Sequence, residues 1–219
     1  IAPEGTVVNA LFPAAVAGGN VETSQRMVDA ILGALAKACP GIIPAASCGS
    51  MSNLSIGGID PRPGVRQGKP FAYYETTGGG MGGGPLGPGE DAIHSHLTNT
   101  MNTPIEALEH AYPYRVRRYG VRRGSGGRGK HRGGDGIVRE IEVMVDATVS
   151  FMTERREMAP YPLKGGEPGK PGRNAIYRGK KRLPVPGKAR LEAKAGDVIS
   201  LETPGGGGWG RPTAKKKRR

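Results

Sequence analysis

Two histidines stand close together in a short polar segment, HSHLTNTMNTP, at residues 94–104. Because side chains alternate along an extended segment, His94 and His96 would fall on the same face of it. Both imidazoles could then reach one metal ion, one phosphate or one substrate carbonyl. A metal site needs a third ligand, for which Glu90 and Asp91 are near in the sequence, so the identity of any metal stays open.

The same segment has a structural interpretation as well. His94, His96, Asn99 and Asn102 could satisfy backbone groups of an irregular loop, as polar side chains in such loops often do. The spacing of the residues is compatible with both interpretations.

A second polar cluster, TERR, comes at the end of a predicted strand, where side chains often reach a cleft. Arg155 or Arg156 could hold a carboxylate or phosphate in a two-pronged grip. A structural ion pair of the arginine with Glu154 or Glu157 fits the same sequence.

Glycine dominates two further segments. GGGMGGGPLGPG, at residues 78–89, could present backbone N–H groups to an anion, although glycine-rich turns without ligands are common. GSGGRGKH, at residues 124–131, has the spacing of a phosphate-binding loop, but His131 stands where the magnesium-holding hydroxyl belongs. The turn RGGDG follows it where a helix is required, so we exclude this segment as an ATP site.

One long helix is predicted near the start of the chain. Asn20 is a candidate N-cap for a helix over residues 21–38, and Pro40 and Gly41 end it. One face of this helix carries the apolar residues Val21, Val28, Ile31, Leu32 and Leu35.

A shorter helix is predicted directly after the histidine segment. Thr103, Pro104 and Glu106 fit a capping box with proline at the first helical position, and Pro113 closes the helix. Before the glycine loop, residues 71–76 read as a strand.

The second half of the chain has the pattern of β-structure. Residues 137–145 alternate between apolar and polar side chains, and residues 148–153 form the next predicted strand. Residues 189–193 and 198–203 flank the turn KAGD, which predicts a hairpin.

The predicted fold class is therefore α+β, with helices and glycine-rich loops first and strands later. We divide the chain into a mixed segment at residues 1–113, a β-rich segment at 114–210 and a basic tail at 211–219.

Length and composition exclude several classes of protein. A chain of 219 residues can bury a core without disulfides. Cys39 and Cys48 form no disulfide framework and no CxxC pair, which favours a reducing compartment and a cytoplasmic location. Apolar runs of the length that a membrane span needs are missing, as are GxSxG, HExxH and zinc-finger patterns.

The formal charge of +13 raises the question of nucleic-acid binding. Five of these charges belong to the last five residues, KKKRR, so the tail inflates the value. Residues 115–132 form a second basic stretch, but beyond Tyr119 it lacks the interleaved aromatics of a nucleic-acid groove. A solvated or subunit-facing surface is the preferred interpretation.

Several segments, in this order, resemble the hydantoinase B/oxoprolinase family, to which N-methylhydantoinase B-type subunits belong. The matching stretches are FPAAVAGGNVETSQR, FAYYETTGGGMGGGP, HSHLTNTMNTPIE, YGVRRGSGGRGKHRGGDG, TERR and ETPGGGGWG. Together they span nearly the whole chain up to the basic tail. Family members are longer, and their N-terminal region has no counterpart here, so the resemblance is to their C-terminal part. Either this chain is a C-terminal fragment, or the missing part is a separate chain.

The resemblance implies a partnership between subunits. An A-type subunit would use ATP to activate a small cyclic amide or imide, and the B-type subunit would help to open the ring. ATP and a divalent metal are implied for the complex and would bind mainly outside this chain. A hetero-oligomer without membrane or nucleic-acid partners is expected.

A phosphorylated amide oxygen makes a better electrophile, and histidines beside it could move protons or position water. Our hypothesis is that His94 and His96 face the reaction chamber, and that Arg155 neutralises negative charge. Asn99 and Asn102 would orient the substrate or the loop, and Glu154 would contribute to substrate binding. The alternatives are a subunit of a related ATP-dependent ketone carboxylase, and a non-catalytic scaffold or assembly module.

Overall fold

The computed structural model describes residues 2–14, 16–64 and 67–212. Within these ranges the helices are α1 (Ala17–Ala38) and α2 (Ile105–Ala111). The strands are β1 (Asn53–Asp60), β2 (Lys69–Glu75), β3 (Tyr114–Arg122), β4 (Gly136–Val143), β5 (Ala147–Met152), β6 (Arg173–Arg178), β7 (Lys181–Val185), β8 (Lys188–Ala193) and β9 (Val198–Glu202). Residues 213–219 of the predicted basic tail lie outside the described residues.

The strands form two antiparallel sheets that share one core. The four-stranded sheet has the order β2-β1-β5-β8, and the five-stranded sheet has the order β3-β4-β9-β6-β7. Both sheets contribute to a single buried cluster whose members include Leu54, Ile56, Phe71, Tyr73, Ile141, Val143, Val149, Phe151, Ile199 and Leu201. With the helices in the first half and most strands later, the predicted α+β class is confirmed.

Strand alternation gives the four-stranded sheet an inner and an outer face. In β5, Val149 and Phe151 are buried in the core, whereas the alternate residues Ser150 and Met152 point the other way and are half-buried. The outer face of this sheet is therefore the polar side of the sandwich, and it is partly covered by α1.

Beside the sheets, extended glycine-rich segments join through their backbones into what we call the glycine bundle, residues 45–48, 79–90, 125–135, 161–170 and 203–210. Gly80 donates to the carbonyl of Pro204 at 3.0 Å, and Gly134 donates to that of Met81 at 2.7 Å. A Cβ atom on Gly134 would lie 1.7 Å from the carbonyl oxygen of Glu90, so only glycine fits there. The glycines of the predicted loop serve close backbone packing.

The predicted hairpin at residues 189–203 is wrong. The turn forms, with the amide of Asp197 donating to the carbonyl of Lys194 at 2.9 Å. However, β8 pairs with β5, whereas β9 pairs with β4 and β6 in the other sheet. The chain uses this turn to cross between the sheets, because apolar residues of both strands are needed on opposite walls of one core.

Both predicted helices form, but the caps predicted for them are wrong. Helix α1 begins three residues before the candidate N-cap, and the Asn20 amide donates to the Val16 carbonyl inside the helix at 3.1 Å. The capping box before α2 is not formed, since Pro104 occupies the N-cap position and the Thr103 amide donates to Glu75 Oε1 at 2.6 Å. A carboxylate from β2 thus replaces the local cap.

The apolar face predicted for α1 is not its buried face. Ile31 and Leu35 are exposed, whereas Glu22, Gln25 and Asp29 are buried. Helix α1 therefore packs a polar face onto the rest of the described chain. Among the described helices, α1 included, none is long and apolar enough to cross a membrane.

Candidate functional site

The two predicted histidines interact electrostatically with different carboxylates, His94 with Glu75 and His96 with Asp29. His96 has a left-handed backbone, with φ of 58°, so the alternation that would place both rings on one face is lost. Burial lowers the pKa of His94 and of His96, and it outweighs the opposing charges of Glu75 on His94 and Asp29 on His96. Both rings are therefore neutral at pH 7 and can accept a proton.

His94 also has unused hydrogen-bonding capacity. Both of its ring nitrogens are buried, and neither has a partner within the described residues. Nearby, Glu75 forms a buried ion pair with Arg139, at 3.1 Å between Oε2 and Nε. The carboxylate of Glu75, whose charge acts on the His94 ring, is thus already compensated by Arg139.

The predicted asparagines belong to a loop fixed to the end of β2. Asn102 donates to the carbonyl of Thr76 at 2.9 Å, and the hydroxyls of Thr76 and Thr100 lie 2.8 Å apart. Asn99 is exposed. The structure therefore gives Asn102 a loop-orienting contact and leaves the Asn99 amide open to solvent.

The TERR segment is anchored to α1. Arg155 has a φ of 58°, and its guanidinium is buried against Asp29 Oδ2 at 2.7 Å and the Ala159 carbonyl at 2.8 Å. Its ion pair is thus with Asp29, neither with Glu154 nor with Glu157. The Glu154 carboxylate pairs with Lys188. Both residues line a cleft of about 340 Å³.

Sequence reasoning missed the group that connects these segments, which we call the helix-face cluster: Glu22, Gln25 and Asp29 of α1 with the segments that they contact. Gln25 donates to the Ser95 carbonyl at 2.9 Å and to Thr98 Oγ1 at 3.2 Å. Each of the three helix residues has one buried side-chain oxygen that accepts no hydrogen bond from any described residue. Helix α1 therefore joins the histidine loop and the TERR segment in one polar region.

Glu22 is the centre of this cluster. Its Oε1 accepts from the Met51 amide at 3.0 Å, from Asn53 Nδ2 at 2.9 Å and from Ser50 Oγ at 3.3 Å. Burial raises its pKa to about 7, although the bond from Ser50 and the charge of Arg156 act in the opposite direction. Glu22 therefore changes its charge state near neutral pH.

A hydrogen-bond chain leads from Glu22 to the surface. The phenol of Tyr74 donates to Asn53 Oδ1 at 2.6 Å, and the other end of the same amide donates to Glu22. Burial and the charge of Glu22 raise the pKa of Tyr74. Since Tyr74 is 56% exposed, the chain connects a buried carboxyl with a reachable hydroxyl.

Three of the five described non-glycine residues with positive φ lie around the same cluster. Ser52, His96 and Arg155 all have φ values near +50° to +60°, and each belongs to a segment that contacts the buried face of α1. Such conformations cost on the order of 1–3 kcal/mol each and tend to be kept at functional sites. The strain supports the helix-face cluster as the candidate site.

The sequence does contain an indication of this cluster. Glu22, Gln25 and Asp29 recur at helical spacing on one face of α1, with Arg26 next to them. A polar stripe on a helix is usually interpreted as its solvent-exposed face, and this interpretation hides the cluster. Ser50, which donates to Glu22, and Cys48, whose thiol donates to the Ser50 carbonyl, stand in a segment without periodicity.

In the described ranges, the side chains form no metal-ligand cluster, and the loop at residues 124–131 does not have the backbone of a phosphate site. Within the described ranges, no group of three or more His, Cys, Asp or Glu side chains is arranged as a metal site. The loop at residues 124–131 uses its amides internally, with Gly127 donating to Gly206 at 2.8 Å and His131 to Trp209 at 3.0 Å. Those amides are not available to a phosphate.

Comparison with known proteins gives a consistent family. The family model described as Hydantoinase B/oxoprolinase matches residues 1–212. An uncharacterized protein of Methanocaldococcus jannaschii is 44% identical over 97% of this chain and 36% of its own length. 5-oxoprolinase 1 of Arabidopsis thaliana is 43% identical over 95% of this chain and 15% of its own length.

A solved structure agrees with these relatives. The ATP-dependent caprolactamase from Pseudomonas jessenii superposes with a TM-score of 0.79 and 26% identity, over 97% of this chain and 38% of its own. The chain thus spans well under half the length of each of these proteins. With the family match extending over nearly all of its residues, this chain belongs to the hydantoinase B/oxoprolinase family.

Proposed function

We propose that this chain is the C-terminal part of the B-type component of an ATP-dependent enzyme that opens a cyclic amide or imide ring. In this proposal it works in a cytoplasmic hetero-oligomer with an A-type subunit, and ATP and a divalent metal bind mainly outside this chain. The main support is the family match over residues 1–212, together with relatives named for 5-oxoproline and caprolactam, which are both cyclic amides.

The residues of the candidate site suit such a reaction. Opening an amide ring requires removal of a proton from water and delivery of a proton to the leaving nitrogen. His94 and His96 are neutral at pH 7 and could accept the first proton. Glu22 is the further candidate for proton exchange, and the exposed amide of Asn99 could bind the substrate. Arg155 would neutralise negative charge, and Glu154 would contribute to substrate binding, from the cleft that both residues line.

The proposal is tested by ATP hydrolysis in the presence of hydantoins, 5-oxoproline, caprolactam and small ketones. The chain is assayed mixed with an A-type subunit and, separately, alone. We expect hydrolysis that depends on a cyclic amide, and only in the mixture. Stimulation by ketones alone would instead favour a carboxylase, and no stimulation by any compound would contradict both.

The role of His94 gives a specific prediction. Replacing His94 with alanine should lower turnover of the assembled complex by about 100-fold or more, as expected for loss of a general base. The melting temperature should stay unchanged, because the ring makes no hydrogen bond within the described chain. His110→Ala, an exposed position on α2, is the matched control. Unchanged turnover in His94→Ala would remove this residue from the site.

A second candidate function is an assembly module whose chemistry lies elsewhere. It is favoured by the contacts of Asn102 and Arg155, whose polar groups are engaged by Thr76 and Asp29 of the protein itself. The two functions predict different effects of site variants on complex formation and on turnover. In an assembly module, site variants should lose complex formation, measured by light scattering, before turnover per assembled complex declines.

A further inference from the structure

A cleft of about 350 Å³ lies where the start of α1 crosses the outer face of the four-stranded sheet. Gly18 of α1 forms one side of it, and a Cβ atom at this position would come within 3.2 Å of the Met152 side chain. The cleft is separate from the one lined by the TERR segment, although Lys188 borders both.

Strand register explains which side chains form its floor. Ser55 lies opposite Tyr74 on one side and Ser150 on the other, and Ser150 lies opposite Arg190. These four outward residues therefore make one row across all four strands, with three hydroxyls followed by a guanidinium. Because neighbouring strands are about 4.8 Å apart, two adjacent hydroxyls match the size of a small ring.

The next row is formed by Asn53, Met152 and Lys188 in the same register. Met152 supplies apolar surface beside the hydroxyl row, and Asn53 links Tyr74 with Glu22. Arg190 is exposed and forms no ion pair with any described residue, so its charge is free for a ligand. Apolar surface with a few placed polar groups is the usual character of a small-molecule site.

The cleft also adjoins the loop that the sequence singled out. Thr76 follows Tyr74 by two residues at the end of β2 and contacts Thr100 of the histidine segment. The hydroxyl row and the loop of Asn99 and Asn102 thus meet at one edge of the sheet.

We infer that this cleft binds the ring of the cyclic amide, with Met152 against the ring, the adjacent hydroxyls of Tyr74 and Ser55 along its amide edge, and Ser150 beside them on the floor of the cleft. The inference rests on the proposed function and names a substrate site within it. Tyr74 is the specificity-determining hydroxyl, because Asn53 and Glu22 hold it in place. Arg190 faces the oxygen on which negative charge accumulates.

Two variants of the assembled complex test this site. Tyr74→Phe removes one hydroxyl and should raise the KM for the cyclic amide about tenfold, while the KM for ATP stays the same. Ser150→Leu fills the cleft and should raise that KM by at least the same factor. The matched controls are Tyr177→Phe, on the other sheet, and Thr148→Leu, on the same strand face outside the cleft.

The assay is cyclic-amide-dependent ATP hydrolysis with hydantoin, 5-oxoproline and caprolactam, with assembly of each variant checked by light scattering. A raised KM in both variants and normal values in both controls supports the site. A wild-type KM in Tyr74→Phe, or in assembled Ser150→Leu, overturns it while the proposed function stands. If the wild-type complex shows no cyclic-amide dependence, the proposed function fails and this site fails with it.

Discussion

Replacing Gly134 with alanine is expected to lower the free energy of unfolding by about 3 kcal/mol or more. The added methyl group would lie 1.7 Å from the Glu90 carbonyl oxygen and 2.5 Å from its carbon, so backbone has to move. That movement weakens the bonds of Gly134 to Met81 and of Gly206 to Gly134, at 2.7 and 2.9 Å. Because the segments of the glycine bundle are joined through such bonds, the loss should spread to its neighbours.

Urea unfolding followed by circular dichroism measures this effect. Gly87→Ala is the matched control, since it lies in the same glycine-rich segment and its added Cβ would have no atom within 4 Å. We expect the control to remain within about 0.5 kcal/mol of the wild type. Equal unfolding midpoints for the two variants would contradict the close backbone packing of the bundle.

Replacing Glu22 with glutamine is expected to change how stability depends on pH. The pKa of Glu22 is raised from 4.5 to about 7 in the folded chain, so the folded state binds its proton more tightly than the unfolded state. The wild-type stability due to this group is greatest below about pH 4.5 and is lost as the pH rises to about 7. The loss is on the order of 3 kcal/mol. Glutamine cannot ionise, and its amide oxygen can keep the three bonds to the 50–53 segment.

As the pH rises from 4.5 to 8, the free energy of unfolding of Glu22→Gln should therefore increase relative to that of the wild type. Denaturant unfolding at several pH values measures it, and using a difference cancels the other titrating groups. Glu106→Gln, an exposed carboxyl on α2, should show no such change. A Glu22→Gln difference that stays constant across this pH range would mean that Glu22 is not protonated near neutrality.

Periodicity predicted the secondary structure better than its pairing. The strands at residues 71–76, 137–145 and 148–153 were found close to their predicted places because their side chains alternate. The hairpin between β8 and β9 was wrong because alternation looks the same whether two strands pair or face each other across a sandwich. The turn chemistry of Asp197 is real, but it does not specify the partner strand.

The candidate site was less accessible to sequence reasoning. The sequence indicates the histidine and TERR segments as candidate site segments, but it does not show that they are connected. The connection is made by Gln25 and Asp29 of α1, which is far from both segments in the sequence. The pairing of Arg155 with Asp29 spans 126 residues, and no local pattern encodes such a contact. The hydroxyl row exists only because four strands pair in one particular register, and a strand's own sequence does not specify that register.

Ring opening in heavy-oxygen water tests the central claim most directly. The chain, assembled with an A-type subunit, is incubated with ATP and a cyclic amide in H₂¹⁸O, and the product is analysed by mass spectrometry. The account predicts a ring-opened amino acid whose new carboxyl group carries ¹⁸O, formed only with ATP and only in the assembled complex. A carboxylated product, or an unopened ring despite a stable complex and intact ATP hydrolysis, would contradict it.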